Sequence, residues 1–245
     1  MRTSNPALKE EYFKRHPASA AGGVMTLNGT TTKSFLLIIL AIFSAAFTWR
    51  EYLGGNVGIL MPAMLVGGLG GFIVAMVTVF KPHLSPITAP LYAVLEGLLL
   101  GALSARYEAQ WAGLPMQAVG LTFMVFVAML LVYRTGIIKV TEKFRFGVAA
   151  ATGGIALFYV LSIVLSLFGV RIPLVHEAGV IGIGFSLVIV GVAALNLILD
   201  FDLIEGGVGA GAPKYMEWYA AFGLLVTLVW LYLEMLRLLS KINRR

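Results

Sequence analysis

The stretch GVIGIGFSLVIVGVAALNLILDFDLIE, residues 179–205, decides what kind of chain this is. From Gly179 to Leu199 it carries no charge. That is the length a helix needs to cross about 30 Å of hydrocarbon at roughly 1.5 Å per residue. The run then meets Asp200, Asp202 and Glu205. An ionisable group in a spanning helix is costly and faces a partner or water, so the acids that close this run are the first candidates for function.

Six more apolar stretches accompany it. The seven lie at about 34–49, 57–80, 86–105, 113–133, 146–169, 179–202 and 216–238. Continuous runs of this kind read as helices, because a barrel strand alternates over roughly ten residues. The 245 residues are 59% hydrophobic and 12% charged, against about 25% charged in a soluble domain. Polar groups cannot cover the surface of such a chain. The expected fold class is an all-α integral membrane protein, a bundle of seven transmembrane helices.

Around the bundle, residues 1–33 read as an N-terminal tail, 34–240 as the membrane domain and 241–245 as a basic C-terminal tail. Met1 to Lys33 lacks the apolar core and cleavage pattern of a signal peptide. One short amphipathic helix is expected around Pro6 to Arg15, and Thr26 to Thr32 (TLNGTTT) as a turn before the first span. The glycine runs Gly67-Gly68-Leu69-Gly70-Gly71 and Gly97-Leu-Leu-Leu-Gly101 predict close helix approach before any role in a substrate path.

The +6 net charge sits in short clusters between apolar runs, the pattern of membrane topology and not of nucleic-acid binding. Arg2, Lys9, Lys14, Arg15 and Lys33 precede the first span, and Arg134, Lys139, Lys143 and Arg145 fill the fourth break. Both groups are expected in the cytoplasm, with Arg50, Arg106 and Arg171 alone in the breaks outside. Seven spans would then place Arg237, Lys241, Arg244 and Arg245 outside. Either the last segment is re-entrant or the earlier charges outvote it; its length favours a full crossing. The absence of cysteine excludes disulfides and thiolate chemistry.

Polar groups within the spans rank by depth. Glu96 stands mid-way along the third, about 15 Å from either end. Asn196 and Asp200, four apart, share a face of the sixth helix, while Asp202 points elsewhere and Glu205 is expected in the loop. On the seventh, Glu217 sits in the first turn, where a carboxylate suits the macrodipole. Thr227 and Glu234 lie roughly on one face, and Glu234 can pair with Arg237. Oxygen ligands suit a hard cation such as Ca²⁺, with Asp200 and Glu96 as candidate metal ligands, and clustered carboxylates can also relay protons. The plainer readings are interfacial charge for Asp200 and Asp202, a helix–helix hydrogen bond for Asn196, and a structural role for Glu217.

Enzyme chemistry is not expected. His16, His83 and His176 lie in the tail or in breaks, and no HExxH motif occurs. Gly184-Phe-Ser186 lacks the glycine and histidine partners of a serine hydrolase. An intramembrane aspartyl protease needs facing aspartates on different helices, whereas Asp200 and Asp202 share one.

Three segments, Tyr133-Arg-Thr-Gly-Ile-Ile-Lys-Val-Thr-Glu142-Lys-Phe-Arg145, Ala194-Leu-Asn-Leu-Ile-Leu-Asp200-Phe-Asp202-Leu-Ile-Glu205 and Ala212-Pro-Lys-Tyr-Met-Glu217-Trp-Tyr-Ala-Ala, resemble the Bax inhibitor-1/YccA family in a bacterial branch. The closing Met235-Leu-Arg-Leu-Leu-Ser240 resembles its terminal segment. The resemblance implies six helices around a central seventh and a pH-sensitive calcium leak governed by aspartates on the sixth and seventh helices. Asp200 matches the first, through the spacing to Ile204. At the second this chain departs from the pattern: a gapless alignment places Thr227 there, and a looser one Glu234. Glu96 or Glu217 can then supply the second carboxylate. The family's basic latch near the end of the second helix falls nearest to Lys81, which Pro82 follows.

The leading expectation is thus a cation leak of the bacterial cytoplasmic membrane, with the N-terminus inside as the lysine and arginine pattern predicts. Calcium would be the transported species, with no tightly bound cofactor and the lipid bilayer as surroundings. The alternative is a non-transporting adaptor of a membrane quality-control protease working through the tail; proton-coupled solute transport is a third reading.

Overall fold

Each of the seven apolar runs is a helix in the computed structural model, which describes residues 23–169 and 179–244. They are α1 (Leu27–Leu53), α2 (Val57–Phe80), α3 (Ser85–Gln110), α4 (Leu114–Arg134), α5 (Glu142–Leu167), α6 (Val180–Gly209) and α7 (Met216–Asn243). All seven are long and apolar enough to cross a membrane. The short helix expected near Pro6 to Arg15, and His16, Arg171 and His176, lie outside the described residues.

Two boundaries differ from expectation. TLNGTTT is not a turn: Thr26 caps α1, its hydroxyl accepting from Gly29 N at 3.0 Å. The hydroxyls of Thr30, Thr32 and Ser34 then donate to carbonyls four residues back, at 2.8 to 2.9 Å. Polar residues that read as loop are thereby satisfied inside a helix. Glu205 is likewise helical, because α6 continues through the glycines to Gly209. α7 runs without a break from Met216 to Asn243, long enough for the full crossing that its length favours. It is also the most enclosed helix: 67% of its apolar window is buried, against 6% in α5.

The chain divides into two compact units. The first holds α1, α2 and α3 with Asp202–Val226. Here α1 and α2 both pack along α3. A Cβ on Gly97 would lie 2.4 Å from Ala41 O, and one on Gly101 2.4 Å from Ala45 O, so the α1 backbone rests on these glycines. Ser44 Oγ donates to Val94 O at 2.6 Å in the same contact. α2 widens into a π turn at Val66–Gly70, where a Cβ on Gly67 would meet Leu95 O of α3 at 2.6 Å. These are backbone-to-backbone contacts, as small-residue spacing predicts. Gly97→Ala is therefore expected to lower the detergent-solubilised protein's apparent Tm, by an overpacking cost of about 1–3 kcal/mol. An unchanged melt would show that α1 and α3 separate without penalty.

The second unit holds α4, α5, α6 up to Phe201, and α7 from Thr227. Aromatic side chains join its helices. Phe201 of α6 meets Phe126 and Tyr133 of α4 with centroids at 5.7 and 5.8 Å, and Phe158 of α5 meets Phe185 of α6 at 5.1 Å.

Candidate functional site

In the first unit, Glu96 is buried on α3. Tyr92, one turn before it, hydrogen-bonds its carboxylate and turns its ring edge to Phe222 of α7, centroids 4.9 Å apart. Gly71 of α2 makes room for the acid, since a Cβ there would lie 3.1 Å from Glu96 Oε2. The glycine run that forms and closes the π turn thus serves two ends, close packing at Gly67 and space for a carboxylate at Gly71.

Glu217, in the first turn of α7, has quite different surroundings. Its side chain is 0% exposed. Oε1 accepts from Thr26 N at 2.9 Å, Thr26 Oγ1 at 2.8 Å and Lys214 Nζ at 2.8 Å, and Oε2 pairs with Lys33. Lys33 also lies over the Trp218 ring, 5.5 Å from its centroid. The chain before α1 is zipped to the α6–α7 connection by Met25 N to Ala212 O at 2.7 Å and Lys214 N to Gly23 O at 3.1 Å. Glu217 therefore sits at the N-termini of both α1 and α7, where helix dipoles favour a negative charge. Burial holds the nearby Tyr215 hydroxyl above its usual pKa, and its carbonyl accepts from Ser85 Oγ at 3.0 Å.

Asp202 is half-buried and Glu205 exposed. Lys81 is exposed where α2 ends. Among the described residues, Lys33 and Lys214 pair with Glu217, and Arg237 pairs with Glu234.

In the second unit Asp200 is 0% exposed, on α6 beside the buried Leu197, Ile198 and Leu199. One turn earlier, Asn196 Nδ2 donates to Thr152 Oγ1 of α5 at 2.8 Å and to Val192 O at 2.9 Å. The amide nitrogen thus ties α6 to α5, the helix–helix bond that was the plainer expectation. Thr227 is buried on α7. Glu234, also buried, pairs with Arg237 at 2.6 Å and accepts from Tyr159 OH of α5 at 2.9 Å. The pairing with Arg237 follows from their spacing of three; Tyr159 carried no signal in the sequence, and neither did Lys33 or Thr26 as partners of Glu217.

Among the described residues, no three acidic or histidine side chains gather into a group able to hold a metal ion. The candidate metal ligands Glu96 and Asp200 belong to different units, Glu96 to the first and Asp200 to the second. Each unit encloses two carboxylates, Glu96 and Glu217 in the first and Asp200 and Glu234 in the second. Such an acid can hold a proton or one cation at a time.

The model of the family described as Bax inhibitor 1 like matches residues 5–244. No curated protein and no solved structure matches the chain.

Proposed function

Because this chain belongs to the Bax inhibitor 1 like family, we propose that it is a pH-sensitive cation leak, with calcium as the transported ion. The observation that carries this reading is Asp200, wholly enclosed on a spanning helix with no charge between Val180 and Leu199. A carboxylate in that position is tolerated when it is protonated or when a positive charge lies against it. Its occupancy by proton or cation is thus linked to both concentrations. Ionised, Asp200 holds a basic partner or the passing cation; protonated, it releases either.

Glu96 is proposed as a second acidic group for the cation by its depth in the third span, and Asn196 and Thr227 as neutral oxygens. Glu217 is assigned to holding the helix ends. The arrangement of lysine and arginine supports a cytoplasmic N-terminus, and the cytoplasmic membrane is proposed as the location from the resemblance to the bacterial branch.

The test is calcium entry into indicator-loaded lipid vesicles containing the purified full chain, with external pH stepped. Entry above that of protein-free vesicles, changing with pH, is expected. Entry equal to protein-free vesicles at every pH would sink the leak and leave an adaptor role.

A further inference from the structure

Glu234 is placed as if to bind a cation, yet the proposed mechanism makes no use of it. It lies two turns before the end of α7 with 1% of its surface exposed. Both of its contacts fall on the same oxygen: Oε1 accepts from Tyr159 OH at 2.9 Å and from Arg237 Nη1 at 2.6 Å. Arg237 Nη1 also bonds the Tyr159 hydroxyl, and its guanidinium lies over the Tyr159 ring, 4.9 Å from the centroid. Oε2 is buried with no hydrogen-bond partner among the described residues.

A pair built for strength is arranged differently. Guanidinium and carboxylate match as two parallel forks, and a bidentate pair fills both oxygens. Here the guanidinium is turned onto the tyrosine face and takes one oxygen only. A buried carboxylate oxygen left open costs free energy that a fork-to-fork pair would avoid. The arrangement keeps the acid neutralised while leaving one oxygen able to accept a second positive charge.

We propose that Glu234 is a cation-binding carboxylate of the second unit and that Arg237, steered by Tyr159, is its built-in plug, occupying the place of an inorganic cation. This rests on the leak reading above and adds a second control point on α7. A cation reaching Oε2 competes with the guanidinium for the same charge. When Arg237 swings off, its positive charge keeps the tyrosine face as a resting place, since a cation over an aromatic ring is attracted by the ring's quadrupole. The plug is thus displaced without being expelled into lipid.

The experiment measures calcium entry into vesicles containing wild type, Arg237→Ala, Glu234→Gln and Tyr159→Phe full chains. Arg237→Ala is expected to raise entry about tenfold, the factor that one charge-assisted hydrogen bond corresponds to. Guanidinium ion added to that variant is expected to return entry to the wild-type rate while leaving wild type unaffected. Glu234→Gln is expected to lower entry, because the site itself is lost. Tyr159→Phe keeps the ring and loses the hydroxyl, and a smaller rise is expected. It decides the matter should Arg237→Ala fail to assemble, and no rise in Tyr159→Phe would then overturn the plug. Entry unchanged in Arg237→Ala, or a rise that guanidinium does not reverse, overturns the plug while the wild-type leak stands. No entry in any protein, wild type included, overturns the leak and the plug together.

Discussion

Vesicles carrying Asp200→Asn are expected to pass calcium at a rate that no longer follows pH. The substitution conserves shape and volume and removes the charge at every pH. Its flux should therefore lie flat at the value wild type reaches when Asp200 is protonated. In wild type the ionised fraction of one carboxylate changes about tenfold per pH unit below its midpoint, and flux should follow over roughly two units. Asp200→Glu retains an ionisable group and should retain a pH response, displaced along the axis. Folding is not expected to suffer in Asp200→Asn, because an enclosed carboxylate replaced by a neutral amide sheds a desolvation cost. A pH profile in Asp200→Asn that overlays wild type would remove Asp200 from the gate and make Glu96, the second acidic group proposed for the cation, the next to test.

The helices were legible because hydrocarbon imposes a length and a polarity that no soluble fold requires, and the runs at 57–80 and 113–133 lie within a residue or so of the helices found. Where reading failed, local polarity misled. TLNGTTT looks like a turn only when its hydroxyls are assumed to face water; bonded back to their own helix, they extend α1 to Leu27. The depth of Glu96 and of Asp200 could be counted along a helix, and both are enclosed. Partners across helices could not be counted. That Lys33 reaches Glu217, and that Tyr159 reaches Glu234, depends on how distant segments pack, for which spacing along one helix holds no information.

The basic C-terminus shows the same limit from the other side. Arg237 and Lys241 read as two surface charges that argued against seven crossings. Arg237 is paired with Glu234, and Lys241 is buried, donating to Gly182 O at 3.0 Å and Ser186 Oγ at 2.9 Å. Neither behaves as a solvated anchor, so their conflict with the positive-inside pattern is weaker than a simple count suggests.

Glu217 is the acid for which structure and function should separate most clearly. Glu217→Ala is expected to cost about 3 kcal/mol of stability, the loss that follows when one member of a buried, hydrogen-bonded charge group is removed. Little of that comes from Lys214, whose side chain is 49% exposed and whose pairing water largely screens. Most comes from Thr26, whose backbone N–H and hydroxyl both lose their acceptor, and from Lys33, 18% exposed, which is left beside the start of α1 with no counter-charge from Glu217. Glu217→Gln keeps an oxygen for Thr26 and loses only the charge, so a smaller loss of about 1–2 kcal/mol is expected. Both are read as apparent Tm in detergent. Vesicles made from the surviving Glu217→Gln protein should keep the wild-type dependence of calcium entry on pH, because Glu217 is held by Lys33, Lys214 and Thr26 in a clamp at the helix ends. A melt equal to wild type would dissolve the clamp. A flattened pH profile at an intact melt would make Glu217, and not Asp200 alone, part of the gate.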